Sequence, residues 1–206
     1  MTGGPGARRI HGRTPASKSC GRTAAASGGL ETERLSLEPL VEAHAALLFE
    51  GLDDPRLYHF MQGVEPPSLP ALELRFRARA ARLHEPHTTR LQWAAWARDE
   101  RRHVGLFEAT VGEDGRANLA YLIFASAWRR GYALEACQRI LRHLFDDHAA
   151  SVVRVITAVE NAPARALAER LGFRVAGAPA LLPEEEPAEG HLAYLLERPA
   201  GGEPLE

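Results

Sequence analysis

The feature that most narrows what this chain can become is a change of hydrophobic period near its centre. Ala117–Phe124 reads as an extended run, and downstream Cys137, Ile140, Leu141, Leu144 and Phe145 recur at i, i+3, i+4, i+7 and i+8. The first pattern is that of a strand, and the second puts one apolar face on a helix. Between them lies Trp128-Arg129-Arg130-Gly131-Tyr132-Ala133. A strand that turns tightly into an amphipathic helix has to lay that helix back on a sheet, so the chain requires an α/β arrangement.

The remaining segments extend this reading. Glu33–Glu38 alternates polar and apolar residues and predicts a half-buried strand closed by Pro39. A helix is expected at 41–50, with Leu40, His44, Leu47 and Leu48 on one side. Asp53-Asp54-Pro55 and Pro66-Pro67 are loop signals. Ser68 and Pro70 open a second helix with Leu72, Phe76, Ala80 and Leu83 as its apolar stripe, and Arg75, Arg77, Arg79 and Arg82 read as solvated. Leu91–Ala97 and His103–Val111 are strands, and Gly112–Gly115 forms the hairpin turn into Ala117–Phe124. Val152–Val159, apolar on both faces apart from Arg154 and Thr157, predicts a central strand. Asn161 and Pro163 start a short helix that ends at Leu171-Gly172. Phe173–Ala176 and His191–Glu197 supply two last strands, on either side of an acidic loop at Pro183–Glu189. Hairpins mixed with crossovers imply one mixed sheet flanked by helices.

Composition excludes several classes. At 206 residues and 45% hydrophobic, the chain can bury a core without disulfide staples. Cys20 and Cys137 show no paired spacing, which removes a thiolate zinc cluster. No apolar run approaches the roughly 20 residues of a spanning helix, so no membrane partner is expected. A net charge of −2 argues against a dedicated nucleic-acid binder. The charge is uneven: residues 1–29 carry five basic side chains and no acid, so the rest is −7. That segment, rich in Gly, Ser, Ala and Arg, is expected to be a disordered extension, with an organelle-targeting leader as the less favoured reading. The expected division is 1–29 extension, 30–197 domain and 198–206 tail.

The turn at Gly131 is the candidate site. Helix N-termini leave backbone N–H groups unpaired, and their dipole favours an anion by roughly 0.3–1 kcal/mol. Gly131 and Ala133 let a ligand come close, and Arg129 and Arg130 add fork-shaped donors suited to phosphate oxygens. An ordinary strand-to-helix turn with solvated arginines carries about equal weight on these residues alone.

Trp128–Ala136 resembles the acyl-CoA pyrophosphate loop of the GCN5-related N-acetyltransferase superfamily, closest to the ribosomal-protein alanine acetyltransferase branch. The loop pattern is Gln/Arg-x-x-Gly-x-Gly/Ala; Gly131 and Ala133 match, and Trp128 stands at its first position. Val155–Val159 with Glu160-Asn161, followed by Ala168-Glu169-Arg170-Leu171-Gly172-Phe173, resembles a second signature of the family. Leu30–Leu35 resembles the usual start of the branch, and the likeness spans about 30–197.

The resemblance implies a twisted mixed sheet of about six or seven strands, parted between the fourth and fifth and flanked by about four helices. It implies acetyl-CoA as cosubstrate, with no metal. Pantetheine would pair with backbone near Ile123 and Phe124, the diphosphate would meet Arg129, Arg130, Gly131, Tyr132 and Ala133, and Asn161 would touch the pantetheine arm. Acetyl would pass by direct attack to a primary amine of a small molecule or a protein N-terminus; the alternative is a non-catalytic acyl-CoA-binding or regulatory domain. The expected setting is cytoplasmic, and a homodimer is left open.

A neutral amine needs a base. Glu108, in the apolar run Gly105–Thr110, is the first candidate if it points inward, where burial would raise its basicity; the alternative is that it faces solvent or pairs with an arginine, and His103 is a weaker candidate. Ala164 and Ala168 occupy positions where relatives often carry a Ser or Tyr proton donor, which leaves Tyr132, Tyr121, Ser126 or water for the thiolate. His143 and Asp147, four apart on a helix, read as a solvated pair, and Cys137 as structural.

Overall fold

The computed structural model describes residues 1, 28–61, 64–81, 84, 85, 87–176 and 187–199. The expected disorder of the N-terminal extension, the contribution of Leu83 and Arg82, and most of the acidic loop at Pro183–Glu189 fall outside these residues.

Nine strand segments form one sheet: β1 (Leu30–Glu31), β2 (Leu35–Pro39), β3 (His84–Glu85), β4 (Thr88–Ala97), β5 (Arg102–Gly112), β6 (Arg116–Ile123), β7 (Val152–Ala158), β8 (Arg174–Val175) and β9 (His191–Glu197). Their order is β1-β2-β4-β5-β6-β7-β9-β8, with β3 paired to β4. Among the described residues four α-helices connect them: α1 (His44–Leu52), α2 (Leu69–Ala81), α3 (Tyr132–Asp146) and α4 (Ala162–Arg170). A short 3-10 turn at Pro55–Tyr58 occupies the expected Asp53–Pro55 loop, with the Asp54 side chain capping Arg56 N–H. All neighbours on the strand path pair antiparallel except β6 and β7.

The two faces of the sheet carry separate cores. Leu35, Leu37, Trp93, Phe107 and Ala109 pack against the α3 stripe of Cys137, Ile140, Leu141, Leu144 and Phe145. On the other face Leu48 and Leu52 of α1 and Leu72 and Phe76 of α2 close over Ala94, Leu106, Leu122 and Phe124. This second layer stops at β6. Ile156 on β7 is therefore 44% exposed, although the sequence predicts a strand covered on both faces.

The decisive feature is how β6 meets β7. The two run parallel and pair only at Arg116↔Val152, Ala117↔Val153 and Asn118↔Arg154. Residues 119–123 of β6 and 155–158 of β7 then part, while β7 stays fully paired to β9 and β6 to β5. The sheet is thus open between the fourth and fifth long strands, at the end that feeds α3.

Candidate active site: an opened sheet beside an uncapped helix

The helix α3 begins at Tyr132, with Gly131 as its N-cap at φ +84°. Only glycine takes this left-handed conformation without a Cβ penalty, and a Cβ here would also lie 3.3 Å from Arg34 Nη2. Arg129 is left-handed too, at φ +60°, while Arg130 between them is not. Such an alternation turns successive N–H groups toward one point, a concavity suited to anions. No side chain caps the helix, and among the described residues nothing accepts from the Tyr132, Ala133 or Leu134 amides. The amides expected to bind an anion are therefore open.

The first turn of α3 is held in place by the β1–β2 connection. Glu135 Oε1 accepts from Thr32 Oγ1 at 2.6 Å and from Arg34 N at 2.7 Å, and Oε2 accepts from Arg34 Nε at 2.7 Å. Burial pushes the Glu135 carboxyl up, but these hydrogen bonds outweigh it and hold the group below its ordinary value. The Arg34 guanidinium also donates to Arg130 O at 3.0 Å and lies 4.8 Å over the Tyr132 ring. Beside Gly131 a groove of about 640 Å³ runs along α3, lined by Arg34, Leu134, Arg139, Arg142 and Arg170 among others. Arg34 and this row of arginines escaped the sequence reading, because Arg34 stands nearly a hundred residues from the turn it supports.

The sequence-derived ligands do not all behave alike. Arg129 is exposed, with no partner among the described residues. Arg130, in contrast, is committed to Glu100 at 2.5 Å. The Tyr132 hydroxyl lies 2.9 Å from Asp99 Oδ2 and 2.7 Å from Glu100 Oε1, so its side chain faces the β4–β5 turn and only its amide faces the anion position. Burial, then these two carboxylates, push the phenol well above its usual range, and because both carboxylates hold its hydroxyl at the β4–β5 turn, Tyr132 is not placed to serve the thiolate. Phe124 is a correction of the same kind: its N–H donates to Val104 O at 2.9 Å, and its ring belongs to the α1–α2 core. Ile123 fits better. Antiparallel pairing alternates, so its backbone turns from β5 toward the gap, and its carbonyl there accepts the Trp128 indole N–H at 2.7 Å.

Asn161 caps α4, Oδ1 accepting from Ala164 N at 3.2 Å. Tyr121 stands where β6 has left β7, with its hydroxyl 3.4 Å from Ala164 O. Burial raises its phenol. Ser126 Oγ accepts from Arg102 at 2.7 Å.

For Glu108 the structure takes the arginine-paired alternative. Its carboxylate is not set in apolar surroundings: Oε1 lies 2.5 Å from Arg90 Nη1, and Oε2 accepts from Gln92 Nε2 at 2.9 Å and lies 2.9 Å from Arg79 Nη1. Two guanidinium groups and an amide engage both carboxylate oxygens, so the premise of a carboxylate buried among apolar side chains fails. Arg79, expected to be solvated, is part of this cluster, and Arg77 pairs with Glu42. His143 is likewise buried rather than solvated, bonded to Asp147 Oδ2 at 2.7 Å and packed edge-on to Trp93. Cys137 is fully buried, as expected.

An opened mixed sheet with an uncapped helix at its mouth defines the protein's class. Residues 34–174, more than half of the chain, match the family model described as an acetyltransferase (GNAT) domain, and the chain belongs to that family. A curated relative, the uncharacterized N-acetyltransferase YoaA of Bacillus subtilis (strain 168), is 25% identical over 152 residues, covering 72% of this chain and 84% of its own. Among solved structures, a GNAT-family acetyltransferase from Bacillus anthracis superposes with a TM-score of 0.67 at 14% identity, covering 82% of this chain and 98% of that one. RimL, a ribosomal L7/L12 α-N-protein acetyltransferase in complex with coenzyme A, does so with a TM-score of 0.68 at 14% identity and the same coverages. Both structures share the fold.

Proposed function

We propose that this GNAT-family protein moves an acetyl group from acetyl-CoA to a primary amine. The observation that carries the reading is the adjacency of the open amides at Tyr132–Leu134 to the gap where β6 leaves β7. A diphosphate on those amides would also meet Arg129, and a pantetheine arm would enter the gap beside Ile123 and Asn161. Entering there, it would have to displace the Trp128 indole from the Ile123 carbonyl.

The donor then occupies the side of α3 and α4. The opposite face of β7, left uncovered at Ile156, is where an amine can approach. The amine nitrogen attacks the thioester carbonyl carbon, and the oxygen takes up negative charge near the β6 backbone. The intermediate collapses, the C–S bond breaks, the amide product loses the amine proton and the CoA thiolate takes one up. Tyr121 is the hydroxyl we assign to that thiolate. It stands beside Ala164, and the competing Tyr132 hydroxyl is held by Asp99 and Glu100.

Two measurements test this. CoA should raise the melting temperature, as any ligand bound only by the folded state does. Acetyl-CoA with a panel of small amines and peptide N-termini should release free CoA thiol, with release slowed about tenfold or more in Tyr121→Phe at unchanged CoA affinity. Stabilisation by CoA without turnover on any amine would leave the non-catalytic acyl-CoA-binding reading instead.

A further inference from the structure

Three side chains from two distant stretches of chain meet on the α1–α2 face of the sheet. Glu38 Oε2 lies 3.1 Å from His44 Nε2 and 3.2 Å from His103 Nε2. The His103 ring packs edge-on against Trp96 and His44, with centroids 5.0 and 5.6 Å away. His44 and His103 are nearly buried, their side chains 10% and 7% exposed. Such a set could be read as two histidines and a carboxylate around a cation. The proton positions argue otherwise. Val41 N–H donates to His44 Nδ1 at 3.0 Å, so that nitrogen carries a lone pair and neutral His44 keeps its proton on Nε2. An Nε2–H pointed at Glu38 is a hydrogen-bond donor and not a metal ligand.

The same logic fixes His103. Its Nε2 faces a carboxylate, so Nε2 carries the proton and Nδ1 the lone pair. Nothing among the described residues bonds to that Nδ1. The only buried, unpartnered side-chain nitrogen or oxygen among them is Arg165 Nε, so His103 Nδ1 keeps a small solvent-facing surface on a side chain that is 7% exposed. A carboxylate behind a histidine holds its tautomer and stabilises the imidazolium that forms when the far nitrogen takes a proton. Burial pushes the Glu38 carboxyl up, but the two imidazole hydrogen bonds outweigh it and keep it ionised.

The placement is specific. Across β4 and β5, Ala95 pairs with Gly105 but Trp96 pairs with His103, so Val104 is an extra residue. Bulges of this kind re-aim side chains. Without it His103 would share the α3 face with Phe107; with it His103 turns to the α1–α2 face of the sheet, the face that lies uncovered two strands away at Ile156. Val104 is also the residue that accepts the Phe124 N–H, at the open end of β6.

We propose that His103, oriented by Glu38 and with Glu38 steadied by His44, is the general base that takes the proton from the acceptor amine through Nδ1. This rests on the transfer reading above and names its base. The charged groups facing the ring are Glu38 from β2 and His44 from α1; Glu42, also near α1, is held by Arg77. The experiment uses the full chain and has two arms. In the first, imidazole ¹⁵N resonances are followed from pH 5 to 9 in the free protein. His44 should show the Nε2–H tautomer, and His103 should take up its proton on Nδ1. An Nδ1–H tautomer at neutral His103, or one equivalent of Zn²⁺ shifting both rings together, would overturn the assignment. In the second, pH–rate profiles are taken with acetyl-CoA and the best amine of the panel. His103→Gln keeps a donor toward Glu38 but has no base; kcat should fall about 10²-fold or more, with KM for acetyl-CoA unchanged and one acid limb gone. Glu38→Gln should move that limb rather than abolish it. An unchanged His103→Gln profile in a protein that acetylates an amine removes the base role alone. Failure of CoA to stabilise the protein removes the transfer reading, and the base role with it.

Discussion

The two sides of the parted sheet are built in opposite ways. The side at α3 is local in its backbone: the turn at 128–131 and the open amides come from one stretch of chain, and only the ion pairs that brace them reach further, to Arg34 and Glu100. The side under α1 and α2 is assembled from two distant stretches, Glu38 with His44 on β2 and α1 and Trp96 with His103 on β4 and β5. A local anion site needs only backbone geometry, so a glycine and a helix start are enough to write it. A titrating cluster needs tertiary packing to bring its members together and to desolvate them.

The contrast can be broken most severely at Gly131. Gly131→Val would force a β-branched residue into φ +84° and against Arg34. We expect CoA-induced stabilisation to vanish in thermal melts, at a strain of about 1–2 kcal/mol to the fold. A valine variant that CoA still stabilises fully would mean that the diphosphate lies elsewhere.

The next effect concerns the clasp under that turn. Glu135 is held below its ordinary value by Thr32 and Arg34, so its contribution to stability is full above the unfolded carboxylate value of about 4.3 and is lost as pH falls through the lower folded value. Glu135→Gln should cost about 1–3 kcal/mol at pH 7 by denaturant melts, and the difference from wild type should shrink in acid. A gap that stays constant down to pH 3 would show that the ionised form is not what matters.

The smallest effect sharpens the other side. Glu108 shares its oxygens among Arg79, Arg90 and Gln92, so we expect Glu108→Gln to leave the shape of the pH–rate profile intact and to cost no more than about 1 kcal/mol, as partly exposed ion pairs do. Loss of an acid limb in this variant, and not in His103→Gln, would return the base to Glu108.

How much was legible follows the same division. The α3 stripe, the Asn161 cap and the strand at His191–Glu197 lie where periodicity and capping chemistry put them, because each is settled within one turn or one strand. The two readings of Glu108 could not be separated in the sequence, because a strand pattern tells which face a residue takes but not which side chains from α2 and β4 will meet it. The side-chain partners of Arg130 and Tyr132 were hidden for the same reason: Asp99 and Glu100 sit on a turn some thirty residues away. The bulge at Val104 left no sequence signal, since Ala94-Ala95-Trp96 and His103-Val104-Gly105 read as uninterrupted strands.

The bond from the Trp128 indole to the Ile123 carbonyl has a practical consequence. Trp93 is fully buried and Trp96 is packed on an imidazole, whereas Trp128 is 47% exposed and stands in the doorway. Nature has left a fluorophore on the threshold, and its emission can serve as an unlabelled gauge of whether the entrance is occupied.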